Sequence, residues 1–243
     1  GTAWVIDLVS QTWLTPAEVN RTEWRHWLTI FRPKNCQSDT AMIFVAGGSN
    51  EKPAPETAEP QIVAIAQATH SVVAELKMVP NQPLIFHDDG QPRVEDDLIA
   101  YTWDQFLKTG DAKWPAQLPM TKSVVRAMDT VQTVLAQDEK TLAVEKFVVT
   151  GGSKRGWTTW LTASVDPRVV AIAPIVIDVL NVDVSMRHHF ATYGFWAPAI
   201  DDYVHHKIME RRSVQNYPKL LQLVDPFAYR DRLQMPKCVI NAT

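Results

Sequence analysis

The stretch with the clearest chemical content is Gly151-Gly152-Ser153-Lys154-Arg155-Gly156. It follows the β-branched run Val148-Val149-Thr150 and precedes a segment, about 156–164, that reads as a helix. A serine becomes a nucleophile when a sharp strand-to-helix turn holds it at a strained backbone and exposes its Oγ, which demands residues without side chains around it. Gly151, two residues before the serine, meets that demand. The next glycine is Gly156, whereas the commonest G-x-S-x-G pattern would put glycine where this chain has Arg155. Two plainer readings stay open on the local string. Ser153 could simply cap the helix, or the turn could hold phosphate, although the G-x-x-x-x-G-K-[ST] spacing is absent.

An acyl-transfer site also needs backbone N–H donors for the oxyanion. One comes from the residue after the nucleophile and one from the loop after the third strand. Those would be Lys154 and, in the turn "AGGSN" that closes an earlier buried strand, Gly48 or Ser49. The serine further needs a base oriented by an acid, in the chain order Ser, acid, His. Asp178, after the run "VVAIAPIVI", is a possible acid, with a loop-bracing carboxylate as its plainer reading. All 7 histidines (His26, His70, His87, His188, His189, His205, His206) precede the place where the catalytic histidine is due. The acid and histidine of the triad are therefore expected beyond Thr243, with His188, His189, His205 and His206 as the fallback. Those histidine pairs are sequence neighbours and point to different helix faces, so no metal is expected, nor any cofactor.

The elements that must position these groups alternate. "AWVIDLVSQTW", "EWRHWLTIFRP" and "TAMIFVAGG" read as strands. In 59–77, Ile62, Ile65, Thr69, Val72 and Leu76 keep helical spacing, so one helix is expected there, with Pro60 in its first turn. "QPLIF" reads as a short strand, 94–107 as a helix, and 121–137 as a clearer helix with Val124, Met128, Val131 and Leu135 on one face. Strand "EKFVVT", the serine turn with its helix, strand "VVAIAPIVI" and a last strand "KCVINAT" complete the order. Buried strands alternating with helices imply a mainly parallel sheet flanked by helices on both faces, with the site beyond the strands' carboxyl ends. Residues 182–218, dense in His, aromatics and charge without a clean period, read as a cap or pocket wall inserted after the sixth strand.

A chain of 243 residues, 46% hydrophobic and without repeats or linkers, reads as a single domain over 1–243. A net charge of −3 disfavours nucleic acid as a partner. No window approaches a transmembrane segment, and the first residues do not read as a signal peptide. Cys36 sits in a polar loop and Cys238 in an apolar strand, which reads as a surface thiol and a buried one, with a single bridge as the alternative.

"TGGSKRGWTTW", "AGGSN", "APIVIDVLN" and "NYPKLLQLVDPFAYRDRLQMPKCVINAT" resemble the PhoPQ-activated pathogenicity-related protein family over nearly the whole chain. The elbow around Ser153 is also similar to that of glucuronoyl esterases. The resemblance implies an α/β-hydrolase-like fold, Ser153 as nucleophile, and Arg155 near the substrate's oxyanion or carboxylate. A structural ion pair is the other reading of Arg155. It implies a periplasmic or secreted serine hydrolase, of esterase type, acting on a small-molecule or acyl substrate and linked to virulence or antimicrobial-peptide resistance. A non-catalytic binding or signalling protein that keeps the fold is the alternative. In that family a Gly-Asp pair and a later histidine follow the last segment of this chain. The C-terminal part is thus expected as a missing partner segment, joined or as a separate fragment, without which the 243 residues are inactive.

Overall fold

The computed structural model describes residues 1–137 and 143–241. Strands β1 (Thr2–Thr12) and β2 (Glu23–Arg32) pair antiparallel; β3 (Thr40–Val45), α1 (Pro60–Thr69) and β4 (Val73–Leu76) follow. A small hairpin, β5 (Leu84–Ile85) and β6 (Pro92–Arg93), leads into the long helices α2 (Glu95–Thr109) and α3 (Gln117–Ala136). The unit β7 (Lys146–Gly152), α4 (Lys154–Val165) and β8 (Val169–Ile175) carries the serine turn. Beyond it come α5 (Val182–Tyr193), α6 (Asp201–His205) and α7 (Asn216–Val224). The 6-stranded sheet runs β1-β2-β4-β3-β7-β8, antiparallel from β1 to β4 and parallel from β4 to β8.

The central strands are buried on both faces, which is why they read as continuous apolar runs rather than alternating ones. Ala41, Ile43 and Val45 join the main core with residues of α2, α3 and α4. Met42 and Phe44 turn the other way, toward Ile62 and Ala66 of α1. Helices thus cover both faces.

The expected helix over 59–77 is two elements. It stops at Thr69, where His70 takes a left-handed φ of 51°, and Val73–Leu76 is the strand between β2 and β3. Val72, Val73, Ala74 and Leu76 are all buried, so consecutive apolar positions matched a helical period by coincidence. The β-branched pair Val72-Val73 was the signal against a helix. Conversely, "QPLIF" contributes only the short β5 hairpin and no strand of the main sheet.

Of the expected strand 237–243, Ala242 and Thr243 lie outside the described residues. The preceding segment runs parallel to β8: Cys238 N–H donates to Ile172 O at 2.9 Å and Ile240 N–H to Pro174 O at 3.0 Å. Among the described residues this segment pairs on that side alone, so Val239 and Ile240 are exposed. Cys238 is exposed there instead of buried, Cys36 is half-buried, and both thiols are free. Among the described residues, no helix is long and apolar enough to cross a membrane.

His26 of β2 is buried in the sheet, its Nδ1 donating to Lys77 O at 3.1 Å and its Nε2 accepting from Ser10 Oγ at 2.9 Å. Burial pushes this imidazole down to about 4, despite the backbone carbonyls that favour its charged form. The unfolded chain binds the proton near pH 6.5, so stability from this group is complete above that pH and is lost as pH falls toward 4, by about 3 kcal/mol. Denaturant midpoints at pH 7.5 and 4.5 should separate less in His26→Gln than in the parent. An unaltered separation would remove His26 as the cause.

Candidate active site

Ser153 sits between β7 and α4 with φ 55° and ψ −127°, a conformation costing an L-residue about 1–3 kcal/mol. Its N–H donates to Ile175 O at 2.8 Å, and its side chain makes no capping hydrogen bond to α4. An ordinary capping serine would make one. The glycines around it answer to close packing. A Cβ on Gly151 would lie 2.8 Å from Arg155 Cβ and 2.9 Å from the Arg155 carbonyl, and one on Gly156 would lie 2.7 Å from Ile177 Cγ2 and 3.0 Å from Gly151 O. Gly152 meets nothing within 4 Å. The helix therefore crosses the strand end at Gly156, one residue later than in the commonest pattern. Gly156→Ala should cost about 2 kcal/mol by overpacking, read as a lower denaturation midpoint, whereas Gly152→Ala should cost less than 1 kcal/mol.

Lys154 and Arg155 both turn toward the start of α2. The Arg155 guanidinium, buried, donates from Nε to Val79 O at 2.5 Å and grips both Glu95 oxygens at 2.8 and 2.6 Å. Lys154 Nζ lies 2.6 Å from Glu95 and 3.0 Å from Asp96. Gln82 completes the cluster, donating to Glu95 at 2.5 Å and to Gly48 O at 3.1 Å while accepting from Glu95 N–H. Burial raises the Glu95 carboxyl, but hydrogen bonds from Arg155, Lys154 and Gln82 outweigh it and bring it to about 2. Gly47 is a glycine for the same reason: a Cβ there would fall 2.6 Å from the guanidinium. Glu95 and Gln82 were missed in the sequence, although a buried Lys-Arg pair needs a carboxylate and "VEDDL" offers acidic residues at a helix start.

Ser153 opens into a cavity of about 230 Å³ that Asp178, exposed, also lines. Region 182–218 supplies its outer wall through Val182, Met186, Ile200, Tyr203, Ile208 and Tyr217. Ser153, Lys154 and Asp178 are thus brought together. The β3 turn leaves the strand beside β7, with Val45 opposite Gly151, but Gly48 lines a separate cleft of about 540 Å³ with Trp27, Lys77 and Met78. Among the described residues, the N–H groups of Lys154, Gly48 and Ser49 have no protein acceptor.

Among the described residues, no histidine lines the serine cavity. His206 bonds Asp97 at 2.7 Å, His189 stacks on Trp196 and accepts from Ala197 N–H, and His205 packs edge-on against His206. His188 is exposed on α5, and His70 and His87 are exposed elsewhere. Among the described residues, no cluster of three or more His, Cys, Asp or Glu is placed to hold a metal.

A mainly parallel sheet in this order, helices on both faces and a serine at a strained strand-to-helix turn define an α/β-hydrolase-like protein. The chain belongs to the family of PhoPQ-activated pathogenicity-related proteins, whose model matches residues 1–243. It is 44% identical over 239 residues to autocrine proliferation repressor protein A of Dictyostelium discoideum, covering 97% of this chain and 47% of that protein. The chain thus spans about half the length of that relative. Among solved structures it is similar to the Pyrococcus horikoshii acylaminoacyl peptidase, with TM-score 0.52 and 11% identity over 99% of this chain and 32% of that one. An acetyl xylan esterase from Paenibacillus sp. R4 matches with TM-score 0.50 and 15% identity, over 99% and 82% of the two chains. At these identities the likeness is one of fold.

Proposed function

We propose that this chain carries the nucleophile and oxyanion half of a serine esterase. Ser153 Oγ attacks an ester carbonyl, a base takes its proton, and the tetrahedral oxyanion is met by the N–H of Lys154 with that of Gly48 or Ser49. The observation that carries this reading is the serine itself, held at positive φ without a capping bond, facing a cavity beside a free N–H. Arg155, its guanidinium filled by Glu95 and Val79 O, is assigned to bracing the elbow rather than touching the oxyanion. Of the two carboxylates that line the cavity, Asp96 is held by Lys154 and Tyr203, and Asp178 is the candidate acid. The base, and the acid if Asp178 does not serve, come from beyond Thr243, in the same chain or as a docked fragment; the positions of the histidines support this. The family's description as pathogenicity-related supports a role in virulence, and we place the protein in the periplasm or outside the cell, with antimicrobial-peptide resistance as the form that role takes.

A fluorophosphonate probe tests the assignment on the whole protein. Labelling at Ser153 is the expected result. Refusal by well-folded protein would instead support a binding or signalling protein that retains the fold, a reading favoured by the name of the relative that is a proliferation repressor.

A further inference from the structure

The cavity at Ser153 has few charged groups in its lining. Ser153, Lys154, Asp96 and Asp178 gather the charges and hydroxyl, and the Lys154 ammonium is already held by Glu95 and Asp96. Three of the aromatic residues that line the rest have spent their polar atoms on protein partners. Trp157 Nε1 donates to Val224 O at 2.6 Å, Trp103 Nε1 to Gln117 at 3.0 Å, and the Tyr203 hydroxyl to Asp96 at 3.3 Å. The Tyr217 phenol lies in the field of Asp183, Arg212 and Arg187, and burial pushes it up to about 12. What the two tryptophans present to the cavity is hydrocarbon, joined by Ile177, Val179, Met186 and Ile208.

The cap continues that surface outward. Val182 and Met186 line the cavity from α5, and Phe190 and Tyr193 stand further along the same helix at the i+4 and i+7 positions from Met186, both exposed. An apolar stripe therefore leads from beside the nucleophile to solvent. A pocket built for acetyl would have no use for such depth. Resting on the serine reading above, we propose that the substrate is an ester of an apolar acyl chain longer than acetyl, with the carbonyl at Ser153 and the chain lying between Trp103, Trp157 and the α5 stripe.

The test uses the whole protein and a series of p-nitrophenyl acetate, butyrate, hexanoate and octanoate. Each methylene taken from water into the cavity raises kcat/KM about fourfold until the space is filled, so hexanoate should exceed acetate by at least tenfold. Met186→Trp, which fills the stripe, should bring the hexanoate-to-acetate ratio down to about one; Ala199→Phe, at an exposed position of the same wall, serves if that variant does not fold. Acetate turned over as fast as hexanoate, with Ser153 labelled by fluorophosphonate, would overturn the acyl-chain proposal and leave the esterase reading standing. A parental ratio retained in both variants would overturn it as well. No ester turned over and Ser153 unlabelled would remove the esterase reading and this proposal together.

Discussion

Ser153→Ala in the whole protein should lower ester turnover by a factor of about 10⁴ or more while leaving the melting temperature within about 1 °C of the parent. The two halves of this expectation have different origins. Turnover falls because the attacking oxygen is gone, and a residual rate would come from the oxyanion N–H groups alone. Stability holds because Oγ makes no capping hydrogen bond and because alanine keeps the same Cβ at the same φ of 55°. Ser153→Gly separates the terms further. It is equally inactive, yet it relieves the left-handed strain and should raise stability by about 1 kcal/mol. A parent-like rate in either variant, measured with p-nitrophenyl esters, would remove Ser153 from the mechanism.

The largest loss of stability is expected at Arg155. Lysine cannot reach both Glu95 oxygens and Val79 O at once, so Arg155→Lys strips the fork from buried Val79 O and from the half-buried Glu95 carboxylate at the junction of the elbow, the β3 turn and α2. Breaking such a pair, with its carboxylate half-exposed, costs about 2–3 kcal/mol, or roughly 4–12 °C in melting temperature for a domain of this size. The pH response carries a second signature. Glu95, held at about 2 against an ordinary 4.5, contributes stability that is present above pH 4.5 and lost as pH falls toward 2. With the guanidinium gone, the folded carboxyl lies closer to 4.5, so that acid-induced loss should be smaller and should be complete at a higher pH. If Arg155 instead met the oxyanion, kcat would fall a hundredfold at unchanged melting temperature, and calorimetry beside steady-state kinetics distinguishes the two.

The serine turn was legible because its signals are local. Gly151 and Gly156 answer to contacts within a few residues, and an apolar β-branched run before a glycine pair can hardly be anything but a buried strand entering a turn. The partners of Lys154 and Arg155 were not legible. Glu95 lies some sixty residues upstream, and only the placement of α2 over the carboxyl end of the sheet makes it their counterion. Strand β4, third in the sheet, is not legible for a related reason. Whether Val73–Leu76 forms strand or helix depends on being flanked by β2 and β3, which no spacing within the segment reports.

By itself, then, the sequence determined the class of fold, the family and the place of the serine turn, because periodicity, glycine placement and a long specific motif are properties of neighbouring residues. Tertiary structure decided that Arg155 faces a carboxylate, that no histidine among the described residues lines the Ser153 cavity, and that Trp103 and Trp157 give their indole N–H groups to protein acceptors. Each of those outcomes rests on which distant segments meet. Burial, charge pairing and hydrogen-bond satisfaction are settled between elements, after the chain has folded them together.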